Sequence, residues 1–196
     1  MEVTLGPMTY LWIVVSFALN LLWILVRYPD DVHDRKWVPF SEDELMTVNN
    51  TVDTDFDNPY DPPKAVISTA AIPTNASSSL ILTWLTSNPE DQIYIYIHFL
   101  ELQVLRGNET RIFDILMNGI ITSPAYSPTD SVVDTVYNKE PLRCNASVCS
   151  LELRKTLGST LPPLINAIEI FTVLEFPETA TYEDDCRPPS LYIPCS

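Results

Sequence analysis

The chain has 196 residues, enough for one domain whose core needs neither a metal nor a dense disulfide framework. Its 26 acidic and 11 basic side chains give a net charge of −15, which argues against nucleic acid as a partner and puts polyanionic polysaccharides at a disadvantage. With 4 Gly, 17 Pro and apolar positions dominated by Ile, Leu, Val and aromatics, the composition suits strands joined by rigid connections, so an all-β fold is expected.

Val3 to Val26 carries no charge, and Tyr10 to Val26 is apolar except for Ser16 and Asn20. The run falls slightly short of the roughly 20 residues that span a bilayer comfortably. Met1-Glu2 lacks the basic start of a signal peptide and Ala18 offers only a weak cleavage site. Residues 1–26 are therefore expected to form a hydrophobic helix that meets a membrane through residues 10–26, with retention as a signal anchor favoured over cleavage. A helix buried inside the domain is the competing reading. Anchor and signal peptide alike send the rest of the chain into the secretory pathway, which four Asn-x-Ser/Thr sequons support: Asn49, Asn75, Asn108 and Asn145.

Residues 27–61 are rich in Asp, Asn and Pro and predict an irregular lead-in wrapped on the domain, with Trp37 and Phe40 as anchors. Strands are predicted over Ala65–Ala71 and Leu80–Thr86, bounded by Pro62-Pro63, Pro73 and the polar run Asn75–Ser79. Ile93 to Phe99 alternates strictly, with Ile93, Ile95, Ile97 and Phe99 on one face and Tyr94, Tyr96 and His98 on the other. The aliphatic face belongs in the core. The Tyr face makes Tyr94 and Tyr96 the candidate ligand-binding residues, since aromatic rings stack on the apolar faces of sugars; packing beneath the lead-in is the alternative, and the covered arrangement is expected.

Arg111–Met117 predicts the next strand, closed by the hairpin signal Asn118-Gly119. Val148–Leu153 and Ile165–Phe176 predict two more, the latter with Ala167, Glu169, Phe171 and Val173 on one side. Short strands punctuated by Pro and Gly predict a sandwich or jelly roll. Cys144, Cys149, Cys186 and Cys195 allow three pairings; Cys144 and Cys149 are a candidate disulfide stapling a loop, while zinc fails on spacing because His33 and His98 are far away in sequence. Asp53-x-Asp55-x-Asp57 opens like a calcium loop, but Asn58 and Lys64 stand where Gly and Glu are needed. No metal site is expected. Residues 179–196 predict an irregular tail.

The run Arg27-Tyr28-Pro29-Asp30-Asp31, followed by Asp34-Arg35-Lys36-Trp37, resembles the segment that opens the second half of the malectin-like ectodomain in plant leucine-rich-repeat receptor-like kinases. Further matches follow in order: Ile97-His98-Phe99-Leu100-Glu101, Phe113-Asp114-Ile115 with Asn118-Gly119, Lys155-Thr156 with Ser159-Thr160-Leu161-Pro162-Pro163, and Asn166-Ala167-Ile168-Glu169-Ile170. The resemblance implies a jelly-roll-like, malectin-type β-sandwich over residues 27–178, related to carbohydrate-binding modules and used as an extracellular sensor. It also implies a truncated relative, a splice form or a gene-model fragment, because such receptors carry a first malectin-like half, leucine-rich repeats, a membrane helix and a kinase.

The function expected is a non-catalytic, cell-surface module for an oligosaccharide, cell-wall or peptide cue, with a receptor-kinase ectodomain as a further partner and no cofactor. A protein-interaction or structural fragment is the alternative. An enzyme would need paired carboxylates, for which Glu101, Asp114 and Glu169 are the available acids on strands; Glu101 and Glu169 are expected instead to accept hydrogen bonds from sheet edges or loops.

Overall fold

The computed structural model describes residues 11–13, 31–33, 35, 37–38, 43–50 and 57–173. In chain order these form β1 (Leu11–Ile13), β2 (Leu45–Asn49), α1 (Lys64–Ile67), β3 (Thr69–Pro73), β4 (Leu80–Leu85), β5 (Gln92–Phe99), β6 (Phe113–Met117), β7 (Ile120–Tyr126), β8 (Asp134–Tyr137), β9 (Leu142–Arg143), β10 (Val148–Lys155) and β11 (Ala167–Thr172). One sheet runs β1-β11-β5-β8, with β9 also on β5; the second runs β4-β10-β6-β7; β2 and β3 make a separate pair.

Alternation explains the layering. Ile93, Ile95, Ile97 and Phe99 of β5 are buried, as are Leu80, Leu82 and Trp84 of β4, Phe113, Ile115 and Met117 of β6, and Cys149, Leu151 and Leu153 of β10, all in one core cluster. Side chains of period two from two antiparallel sheets fill one apolar layer between them. Phe99 and Phe113 lie 5.7 Å apart, and Tyr126 sits 4.8 Å from Phe99, tying the end of β7 into the same layer. The β6–β7 hairpin turns at Asn118 (φ 49°) and Gly119 (φ 79°), the positive-φ pair that a type I′ turn requires. Asparagine side chains complete the ladders elsewhere: Asn138 accepts from Ile95 N and donates to Ile93 O between β8 and β9, and buried Asn166 accepts from Leu100 N and donates to Ile67 O and Thr69 O.

Two elements differ from the sequence-based expectation. The strand expected over Ala65–Ala71 is a helical turn followed by β3, because Pro63 starts the turn: Val66 N and Ile67 N both donate to Pro63 O, at 2.9 and 3.1 Å. The turn buries Val66 and Ile67. Within the apolar N-terminal segment, where a helix is expected, Leu11–Ile13 is strand, paired antiparallel with β11 in the register Leu11↔Ile170, Trp12↔Glu169, Ile13↔Ile168. The edge of β11 offers a row of backbone donors and acceptors with which an extended segment can pair. The rest of residues 1–26 lies outside the described residues, and among the described residues no helix is long and apolar enough to cross a membrane. Phe40, Asp53, Asp55, Cys186, Cys195 and the tail 179–196 also lie outside the described residues.

Candidate functional site

The outer face of the β11-β5-β8 sheet brings together most of the residues singled out above. Register places Glu169, Tyr96 and Tyr137 in one row, Ala167, His98 and Thr135 in the next, and Phe171 opposite Tyr94. Side chains alternate, so these rows stack on one face.

The His98 end of this face is sealed by a buried polar network. Arg35 Nε donates to Asp31 Oδ2 at 2.7 Å and its Nη1 to Glu169 Oε1 at 3.0 Å. Glu169 Oε1 also meets His98 Nε2 at 2.8 Å, and His98 Nδ1 meets Thr135 Oγ1 at 2.9 Å. Trp37 Nε1 donates to Asp31, its ring lies 6.3 Å from that of His98, and the Arg35 guanidinium sits 4.9 Å over it. Buried charges persist only when paired and hydrogen-bonded, and here the lead-in supplies Asp31 and Arg35, β5 supplies His98 and β11 supplies Glu169. Arg35 also donates to the carbonyls of Tyr60, at 2.8 Å, and Asp61. One guanidinium thus ties the lead-in, the sheet and the Tyr60 loop together. Asn58 fixes the same loop to β8 through Val133 O and Thr135 Oγ1, at 2.8 and 3.0 Å.

The consequence lies at the other end of the face. With its backbone held by Arg35, Tyr60 lays its ring 5.1 Å from Tyr96 and 5.9 Å from Tyr137. Tyr96 and Tyr137 stack at 5.6 Å and 20°, and Phe171 meets Tyr96 edge-on at 5.4 Å. Tyr60, Tyr94, Tyr96 and Phe171 are half-buried, and Tyr137 is 45% exposed. Burial, the Glu169 charge and the neighbouring Tyr137 and Tyr94 push the Tyr96 phenol upward; burial and Tyr137 do the same for Tyr60. These phenols stay protonated at physiological pH, as donors on an apolar, partly wet platform. The lead-in therefore covers His98 through Trp37 and reaches Tyr96 through Tyr60, and Tyr96 keeps a half-buried ring between Tyr60 and Tyr137. Tyr60, Tyr137 and Phe171 escape the sequence reading as platform residues: Tyr60 and Tyr137 stand in polar surroundings, and only pairing brings Tyr137 beside Tyr96.

The carboxylates considered for catalysis have other partners. Glu101 is buried against Arg111 (2.6 Å), which also donates to Pro162 O; Asp114 accepts from Ala125 N at 2.8 Å. Glu101 accepts from the loop N–H of Gln103 at 3.2 Å, as expected, and Glu101 and Glu169 each also serve a buried guanidinium outside the strands, Arg111 and Arg35. Among the sequons, Asn49, Asn75, Asn108 and Asn145 are exposed. Cys144 and Cys149 form a disulfide around Asn145, with Cα atoms 4.8 Å apart.

Residues 15–173 match the family model of the malectin-like domain. The chain is 44% identical over 161 residues to the probable LRR receptor-like serine/threonine-protein kinase MEE39 of Arabidopsis thaliana, an alignment covering 82% of this chain and 18% of that protein. It is 42% identical over 172 residues to the probable LRR receptor-like serine/threonine-protein kinase PAM74 of the same plant, covering 87% of this chain and 20% of that protein. The chain thus spans a small part of the curated relatives it matches. Among solved structures, the ANX2 ectodomain from Arabidopsis thaliana superposes with a TM-score of 0.59 at 16% identity, over 76% of this chain and 47% of that one. The plant peptide RALF23 in complex with FER and LLG2 gives 0.58 at 18% identity, over 75% and 45%. At these identities the likeness is one of fold.

Proposed function

Because this chain belongs to the malectin-like domain family, we propose that it is a non-catalytic, extracellular ligand-binding module of the receptor-kinase ectodomain type, with the aromatic platform of Tyr60, Tyr96 and Tyr137 as its recognition surface. The observation that carries this reading is the stacked pair Tyr96–Tyr137, with Tyr137 45% exposed on a face whose other end is sealed. Partly exposed tyrosines offer both a ring for the apolar face of a sugar and a hydroxyl for its rim. The net charge of −15 favours a neutral oligosaccharide over an acidic one. The chain would act at the cell surface, where its relatives place their ectodomains, with Asn49, Asn75, Asn108 and Asn145 as N-glycan acceptors.

A peptide or protein partner is the second reading, supported by Ile81, Leu85, Val148, Ile120 and Ile121, which stand exposed on the β4-β10-β6-β7 side. A glycan array probed with the secreted chain separates the two. Binding to a defined neutral oligosaccharide that Tyr137→Ala abolishes supports the platform; a folded chain that binds no glycan, yet is captured by a receptor ectodomain, sinks it in favour of the partner surface.

A further inference from the structure

The tight connection from β9 to β10 encloses a sequon within a disulfide ring. Asn145, Ala146, Ser147 and Val148 form its tip: Val148 N donates to Asn145 O at 2.9 Å, and the two central residues, Ala146 (φ 48°) and Ser147 (φ 66°), both lie in the left-handed region. That is the dihedral signature of a type I′ turn, which strongly prefers Asn-Gly. The β6–β7 turn has that dipeptide in Asn118-Gly119; this one has Ala-Ser. An ordinary side chain in the left-handed region costs roughly 1 kcal/mol or more, so two in succession would not hold the turn unaided. Two external ties hold it: the Cys144–Cys149 bond, with Cys149 in the core, and Thr86 N, which donates to Ser147 O at 2.9 Å.

Glycosyl transfer needs the opposite of a closed ring. The Asn amide and the hydroxyl two residues on must be drawn out together into the transferase, which an unconstrained segment can do and a cross-linked tight turn cannot. We propose that the Cys144–Cys149 disulfide gates N-glycosylation of Asn145, so that this sequon accepts a glycan only while both thiols are free. In the transfer, Asn145 Nδ2 bonds to the anomeric carbon of a lipid-pyrophosphate-linked oligosaccharide, the carbon–oxygen bond to the pyrophosphate breaks, and the amide gives up one proton. Ring closure passes two electrons and two protons from the thiols to a disulfide oxidant of the secretory lumen. Asn145 is exposed, so a glycan added first leaves room for closure; closure first leaves the site bare. Asn75 is the internal control: it is exposed in a loop without cysteines, and its Oδ1 accepts from Ser77 N at 3.0 Å.

The proposal rests on the secretory reading, and its test keeps the two apart. The full chain is translated into microsomes behind a cleavable heterologous signal sequence, with and without dithiothreitol and as the C144S/C149S variant, and the occupancy of Asn145 and Asn75 is read by peptide mass spectrometry. The ratio of glycosylated to bare Asn145 should rise severalfold with reductant and in the variant, while that of Asn75 stays level in the variant. Transfer acts on the nascent chain, so the readout survives a variant that fails to fold. Equal Asn145 occupancy in all three arms, whether high, low or zero, overturns the gate. A chain without the added signal that is modified nowhere would sink the secretory reading instead.

Discussion

Arg35 Nη1 meets Glu169 Oε1 at 3.0 Å, and the same carboxylate oxygen meets His98 Nε2 at 2.8 Å. A single acceptor on β11 therefore joins the lead-in to the central strand. The residues that carry the family resemblance, Asp31, Arg35, Trp37, His98 and Glu169, converge on this point, where they are buried and mutually paired. They build the scaffold that aims Tyr60 at the platform, which adjoins them on the same face through the Glu169–Tyr96 pair.

Arg35→Ala leaves the buried carboxylates Asp31 and Glu169 without their shared cation, and removing one partner of a buried pair costs about 3–5 kcal/mol. Arg35→Lys keeps the charge but not the planar fork that reaches two carboxylates and two carbonyls, so an intermediate loss is expected. Urea unfolding midpoints measure both, and a loss below about 1 kcal/mol for the Ala variant would contradict the keystone role.

The platform is tested by separating stability from binding. Tyr137→Ala removes a partly exposed ring and should lower stability by under about 1 kcal/mol, whereas Tyr96→Ala, which loses contacts to Tyr60, Tyr137 and Phe171, should cost about 2–3 kcal/mol. Both should lose oligosaccharide binding. A folded Tyr137→Ala chain that binds as the parent does would remove the platform from consideration.

Burial, then the hydrogen bond from Tyr126 to Asp134 Oδ2 at 2.8 Å and that carboxylate's charge, hold the Tyr126 phenol well above its ordinary 10.0. Above pH 10 the unfolded phenol has released its proton while the folded one keeps it, so the unfolded state binds fewer protons and stability falls as pH rises. This contribution is fully present below pH 10. Tyr126→Phe should flatten the decline between about pH 9 and 11, at the loss of about 1 kcal/mol near neutrality for the hydrogen bond. Urea midpoints across that range report the difference, and parallel curves for the two proteins would refute it.

Relief of the β9–β10 turn should be measurable in the oxidised chain. Ala146→Gly removes the side chain that opposes φ 48° and should raise stability by roughly 1 kcal/mol. Opening the ring with C144S/C149S should cost about 2 kcal/mol in loop entropy, less whatever turn strain is released. Thermal unfolding of the three chains orders them, and an Ala146→Gly chain less stable than the parent would show that the turn is unstrained.

Local pattern alone was enough to determine the strands of the core. Ile93 to Phe99 could bury Ile93, Ile95, Ile97 and Phe99 in only one way once read with period two, and Asn118-Gly119 could close only a tight hairpin, because side-chain alternation and positive φ are properties of a few consecutive residues. The Cys144–Cys149 pairing was likewise readable as a candidate, being a contact over five positions. Partnership across the chain was not. Arg35 and Glu169 are 134 residues apart, β8 is four residues long without a strong alternating signal, and Leu11–Ile13 becomes a strand only because the edge of β11 lies open beside it. Which ring of the Tyr face stays wet depends on where Arg35 holds the Tyr60 loop, and that is decided by packing between segments whose meeting no local pattern encodes.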